Sequence, residues 1–228
     1  MCAQRGSGVS AFPALVLFDL DGTLLDSAPD MVATVNQMRA RRGLPALALA
    51  DVRPHVSRGA RAMTSAAFPD WSEEDVIAAV PEFLDIYGTV LGQYGAAFAG
   101  VETLLQTLEK AGSRWGIITN KPIRFARALM PQLGWEKRSA ILLGGDSLAE
   151  RKPHPLPLLH ACEQLGIAPA DCVYVGDDRR DIEAAHAAGM PAIAALWGYR
   201  QSGDEPLAWG AEKNIAAIDM LLDARNWP

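Results

Sequence analysis

The sequence predicts an α/β protein: a doubly wound parallel sheet with a helical cap inserted after its first strand. Three observations carry this prediction. Four short apolar runs end in polar or glycine-containing sequence, as buried parallel strands do. Helical stripes separate the later runs, and alternation of strand and helix implies right-handed crossovers with helices on both faces. Between the first and second runs lies a long stretch with helical patterns and no convincing strand.

The strands are expected at residues 15–18, 115–118, 140–143 and 172–175, with a weaker alanine-rich fifth at 192–196. After the first, Ser27 is a plausible N-cap for a helix carrying Met31, Val35 and Met38 up to Gly43. A later helix opens at Ser72 with Asp75 three residues on, and Pro81 is expected to kink or split it. Val101, Leu104, Leu105 and Leu108 share one face before Gly112. Phe125, Leu129 and Met130 form another stripe before Gly134, with Pro122 allowed in the first turn. Leu158, Leu159, Cys162 and Leu165 precede Gly166; Ile182, Ala185 and Ala188 precede Gly189. The expected organisation is a core of residues 14–27 and 99–228, with a cap of residues 28–98. Such a cap stands over the carboxyl ends of the strands, where open α/β sheets bind ligands.

Composition narrows the function. Half of the 228 residues are apolar and 21% are charged, the proportions of a globular protein with an ample core. A net charge of −6 argues against nucleic acid or an anionic membrane as partner. Cys2, Cys162 and Cys172 have no metal-ligand spacing and suggest no disulfide framework, so a reducing cytoplasm is expected. Residues 1–13 read as a frayed lead-in without the apolar stretch of a signal peptide, and no later run approaches the ~20 residues of a membrane span.

The polar residues at the strand ends carry the chemistry. Asp19 and Asp21 follow the first strand, and Gly22 releases the backbone behind them. Two crowded carboxylates call for a cation or a shared proton. Thr119, Asn120 and Lys121 follow the second strand and offer a hydroxyl, an amide and helix-start N–H groups to phosphate oxygens. Lys152 follows the third on a proline-stiffened loop. Asp177, Asp178 and Asp181 follow the fourth, with Asp177 and Asp181 four apart on one helical face. Carboxylates alone would hold only a metal, and Thr with Lys only an anion. The combination suits a phosphate bridged to Mg2+, a hard cation that favours oxygen ligands.

These motifs resemble the haloacid dehalogenase superfamily in order and spacing over essentially the whole chain. Asp19-Leu20-Asp21-Gly22-Thr23-Leu24 fits its first motif, Thr119-Asn120 the second, Lys152-Pro153 the third, and Gly176-Asp177 with Asp181 the fourth. The chain is similar to the phosphoglycolate phosphatase group within it. Particular segments are closer to bacterial N-acetylmuramic acid 6-phosphate phosphatases: Asp26-Ser27-Ala28-Pro29-Asp30, Arg42-Gly43-Leu44-Pro45, Gly59-Ala60-Arg61-Ala62-Met63, and residues 115–125.

The resemblance implies a phosphomonoesterase acting on a small acidic metabolite. Asp19 would be the nucleophile that forms an aspartyl phosphate, and Asp21 the general acid and base. Asp19, Asp177 and the backbone carbonyl of Asp21 would hold Mg2+. Thr119 and the Asn120 N–H would hold phosphoryl oxygens, and Lys152, positioned by Asp181, would offset charge. Asp178 is an alternative ligand or a supporting group. The dehalogenases lack an acid at the place of Asp21, so its presence favours phosphoester chemistry. In the cap, Arg61, and less so Arg58, could meet a substrate carboxylate. Two alternatives stay open, a phosphomutase of the same superfamily and a non-catalytic binding or regulatory protein. The oligomeric expectation is a monomer or homodimer.

Overall fold

The structure is a computed structural model that describes residues 12–200 and 203–228. Cys2 and most of the lead-in expected at residues 1–13 lie outside the described residues.

Strand β1 (Leu15–Phe18) is four apolar residues, all buried, as a strand flanked by neighbours and covered on both faces requires. A two-residue strand β2 (Leu25–Asp26) then leads into α1 (Ala28–Ala40), α2 (Leu49–Val52), a 3-10 segment over Arg53–Arg58, α3 (Gly59–Ala67) and α4 (Glu73–Val90). Strand β3 (Ala96–Ala97) pairs antiparallel with β2 and returns the chain to the sheet. The remaining elements alternate: α5 (Val101–Lys110), β4 (Arg114–Ile118), α6 (Ile123–Gln132), β5 (Leu142–Leu143), α7 (Leu156–Leu165), β6 (Cys172–Gly176), α8 (Arg179–Ala187), β7 (Ala192–Ala195) and β8 (Lys213–Ile215). The six-stranded sheet has the order β5-β4-β1-β6-β7-β8 and every pairing in it is parallel.

Alternation along the central strands sends Val16, Phe18, Trp115, Ile117, Val173 and Val175 to one face, against α5 and α6. Leu15, Leu17, Ile118 and Tyr174 face the other way, against α7 and α8. The sheet is thus wound on both sides, as the sequence predicts. A third apolar cluster, with Met31, Val35, Met38, Met63 and Phe83, lies within the helical insertion. Phe125 and Tyr199 reach into it from outside.

Several details differ from expectation. Of the two outcomes expected at Pro81, a split does not occur: α4 runs continuously through it. Pro81 and Ile77, whose carbonyl loses its helical donor, are both exposed, so water can replace the missing bond. The strand expected at 140–143 pairs only over Leu142 and Leu143, half-buried at the sheet edge. Strands β2, β3 and β8 were not expected. Two are too short for periodicity, and β8 carries Lys213 and Asn214. Ser27 makes no side-chain cap; Ala28 N donates instead to the Tyr199 hydroxyl at 3.0 Å. Ser72 does cap α4, accepting from Asp75 N at 3.1 Å. Cys162 and Cys172 are free thiols, and no described helix is long and apolar enough to cross a membrane.

Candidate active site

The carboxyl edge of the sheet brings the motif residues together because four of its parallel strands end there. Asp19 extends the β1–β6 ladder, its N–H donating to the Val175 carbonyl at 2.9 Å. The chain then folds tightly over Leu20, whose carbonyl accepts from Leu24 N and Leu25 N at 3.0 and 2.8 Å. This turn keeps Asp21 beside Asp19, both buried. It also demands glycine at position 22. The residue has φ +90°, and an added Cβ would lie 2.2 Å from Oδ2 of Asp177.

Thr119 continues β4, its N–H donating to Leu143 O at 3.0 Å, and its hydroxyl accepts from Lys121 N at 3.2 Å. The Asn120 side-chain amide donates to the Lys152 carbonyl at 2.9 Å, tying these two loops. Lys152 is buried, with Nζ 2.9 Å from Oδ1 of Asp19, 2.7 Å from Oδ1 of Asp181 and 2.7 Å from the Tyr174 hydroxyl, which itself donates to Ile118 O. After β6, Asp177 accepts from the Thr23 hydroxyl at 2.9 Å, from Tyr199 N at 3.0 Å and from the Ser57 hydroxyl at 3.1 Å. Asp178 caps α8 and pairs with Arg180; burial alone would raise this carboxyl, but the guanidinium holds it below the usual range.

Asp19, Asp177 and Asp181 each offer a carboxylate oxygen within 4.8 Å of the others, and all three are buried. Among the described residues Lys152 is the one ammonium paired with this group, so three carboxyl groups share a single paired cation. Burial, then Asp19 and Asp181, push Asp177 well above the ordinary carboxyl range. Burial and Asp19 raise Asp181 to about 7 against the opposing charge of Lys152. A divalent cation with oxygen ligands would relieve that repulsion, so these residues fit a hard metal ion. The cluster contains Asp181, expected only to support Lys152, and not the Asp21 carboxylate, which points to Lys121.

The direction of the Lys121 side chain is the main feature that sequence reasoning missed. This side chain is buried, with Nζ 2.9 and 3.1 Å from the Asp21 carboxylate oxygens and 2.5 Å from the Tyr87 hydroxyl of α4. Burial opposes the ammonium, but Asp21 and Tyr87 outweigh it and raise the pKa. Burial also pushes the Tyr87 phenol up to about 12, against the pull of Lys121. A lysine after Thr-Asn is visible in the sequence, but its partners are 100 and 34 residues away. Ser57 and Arg180 were missed too: the Arg180 guanidinium donates to Ser57 O at 2.7 Å.

The insertion roofs a cavity of about 380 Å³ over these residues. Arg61 lies at its rim, mostly exposed and paired with Glu73. Arg58 is beside it, 3.9 Å from Asp204. Trp197 and Trp227 pack into the core.

A family model described as haloacid dehalogenase-like hydrolase matches residues 16–195. A phosphoglycolate phosphatase of Xanthomonas campestris pv. campestris (strain 8004) is 57% identical over 95% of this chain and 98% of its own. An N-acetylmuramic acid 6-phosphate phosphatase of Pseudomonas aeruginosa is 46% identical over 91% of this chain and 92% of its own. Among solved structures, a predicted phosphoglycolate phosphatase from Haemophilus somnus 129PT superposes with a TM-score of 0.80. It shares 27% identity and covers 93% of this chain and 97% of that one.

Proposed function

We propose, from the premise that this chain belongs to the haloacid dehalogenase-like hydrolase family and is a phosphatase, that it hydrolyses a small acidic phosphomonoester through an aspartyl phosphate on Asp19. The observation that carries the reading is the buried meeting of Asp19, Asp21, Thr119, Lys152 and Asp177 at one sheet edge.

Asp19 attacks phosphorus in line, and Lys152 beside it lowers the cost of bringing a phosphoryl anion against a carboxylate. Asp21 gives a proton to the departing alkoxide, then takes one from the water that cleaves the acyl phosphate. The Thr119 hydroxyl and Asn120 N–H hold phosphoryl oxygens. Asp181 aims Lys152, and Asp178 fixes Arg180. Asp19, Asp177 and the Asp21 carbonyl would hold Mg2+, which when bound supplies the positive charge that screens phosphoryl oxygens from the carboxylates. Residues 28–98 are the cap, residues 14–27 and 99–228 the core. Arg61, released from Glu73, meets the substrate's carboxylate. We place the enzyme in the cytoplasm, as a monomer or homodimer.

Phosphoglycolate, for which the Xanthomonas relative is named, is the first candidate substrate. N-acetylmuramic acid 6-phosphate is the second, and the cavity favours it. Met31, Val56, Val80, Phe83 and Leu84 wall a space that a two-carbon acid would leave largely uncovered.

The test is Mg2+-dependent phosphate release from both compounds and a panel of sugar phosphates, with Asp19→Asn in parallel. Turnover of an acidic monoester that Asp19→Asn abolishes supports the reading. Undiminished turnover in that variant would sink it. The ratio of kcat/KM between the two compounds assigns the substrate.

A further inference from the structure

Lys121 presents a physical puzzle. Removing an ammonium from water carries a desolvation penalty that its partners must offset, and apolar side chains often fill such sites with equal or better stability. The surroundings are suited to an apolar residue: Phe125 packs edge-to-face on Tyr87 at 5.1 Å, and Phe83 stacks on Tyr87 at 5.9 Å. Lys121 is nevertheless a cation, and its three donor directions are all accounted for. Two go to the carboxylate oxygens of Asp21 and one to the Tyr87 hydroxyl. Asp21 and Lys121 sit on loops of the sheet edge, whereas Tyr87 sits on α4 of the insertion. The three side chains therefore form a chain of contacts from the insertion to the acid/base carboxylate.

We propose that Lys121 is the positioning residue for Asp21, and that Tyr87, reaching in from α4, holds Lys121 in the place where it does so. With α4 in place, the Tyr87 hydroxyl fixes the Lys121 ammonium, and the ammonium fixes the rotation of the Asp21 carboxylate toward the bridging oxygen of a bound ester. Without the Tyr87 hydroxyl, Lys121 keeps Asp21 but loses its second anchor, and the carboxylate is free to turn. Proton transfer to the leaving group is then less efficient. This inference rests on the role of Asp21 given above.

The experiment compares an alkyl monoester, 2-phosphoglycolate, with 4-nitrophenyl phosphate, whose leaving group needs no proton. The quantity read is kcat/KM, which covers steps up to the first irreversible one and so excludes hydrolysis of the intermediate. Tyr87→Phe keeps the ring and removes only the hydroxyl. It should lower kcat/KM for the alkyl ester by at least about tenfold, part of the roughly 10²–10⁴-fold a positioned acid supplies, and lower the aryl value several-fold less. Lys121→Met should show the same leaving-group dependence more strongly. The double variant should be no worse than Lys121→Met alone, because Tyr87 acts through Lys121.

Equal losses on both esters, or additive losses in the double variant, would overturn the proposal and leave these residues as substrate contacts or packing. Should Lys121→Met fail to fold, Tyr87→Phe alone decides through its alkyl-to-aryl ratio. Should 2-phosphoglycolate not be cleaved, N-acetylmuramic acid 6-phosphate serves as the alkyl ester; a wild-type enzyme that cleaves no monoester of the panel, or an Asp19→Asn variant as active as wild type, would instead defeat the reading of the site on which the inference stands.

Discussion

The hydroxyl of Ser57, in the helical insertion, donates to Oδ2 of Asp177 at 3.1 Å, so a loop of the insertion touches a carboxylate of the acidic cluster directly. Arg180 reinforces the contact from the sheet side, with its guanidinium 2.7 Å from the carbonyl of the same serine. The insertion is thus fastened to the acidic cluster through this serine. Ser57→Ala removes the hydroxyl contact but leaves the Arg180 bond to the backbone. A net loss of about 1 kcal/mol, or roughly fivefold, should appear as a raised KM with kcat largely kept. Steady-state kinetics on the preferred substrate checks this, and a fall in kcat at constant KM would contradict it.

Metal removal should expose the mutual repulsion of the same carboxyl groups. In the metal-free fold, burial raises Asp177 well above its ordinary range and Asp181 to about 7. An unfolded carboxyl titrates near 4, so between about pH 4 and 7 the folded chain holds more protons than the unfolded one. The unfolding free energy then falls as pH rises. Chelated protein should melt progressively lower from pH 5 to 8, and added Mg2+ should restore more stability at pH 8 than at pH 5. Thermal melts with chelator and with Mg2+ across that range test this. A Mg2+ increment independent of pH would separate the metal from these carboxylates.

How much of this was visible in the sequence depends on what held each residue in place. Strands β1 and β6 were legible because both faces are buried, so their runs are continuously apolar. Asp19, Asp21, Thr119, Lys152 and Asp177 could be placed on one edge because parallel topology forces strand ends together whatever the side chains do. Strand β8 was not legible: it is three residues long, held by pairing with β7 rather than by its own hydrophobicity. Nor was the direction of Lys121, since its partners come from another strand end and from the insertion. Arg61 shows the converse. Its charge is visible in the sequence, but its pairing with Glu73 at the rim depends on how α3 and α4 pack.

Gly22 gives a prediction in which backbone and site fail together. Alanine there must adopt φ +90°, a left-handed conformation that costs about 1–2 kcal/mol for an L-residue. Its Cβ would also lie against all three carboxyl atoms of Asp177, at 2.2 to 2.7 Å. Gly22→Ala should lower the melting temperature and weaken Mg2+ affinity at once. Isothermal titration with Mg2+ beside a thermal melt reads both. A variant with a lowered melting temperature and unchanged Mg2+ affinity would show that Asp177 moves aside freely.

Asp30 carries the remaining prediction, at the join between insertion and sheet. It lies in the first turn of α1, fully buried, and its carboxylate accepts three backbone N–H groups. Gly92 N donates to Oδ2 at 2.8 Å, and Tyr94 N and Gly95 N donate to Oδ1 at 2.8 and 3.1 Å. These donors belong to the segment that leaves α4 and enters β3, so one side chain satisfies the backbone of the returning connection. Asparagine has the same shape but replaces one oxygen with an NH2 group, which would face at least one N–H and leave it unpaired. That should cost about 1–3 kcal/mol, and Asp30→Ala, which abandons all three donors, about 3 kcal/mol or more. Chemical denaturation gives the order wild type, Asp30→Asn, Asp30→Ala if the carboxylate is the clasp. Equal midpoints for the two variants would mean that water takes over the freed N–H groups.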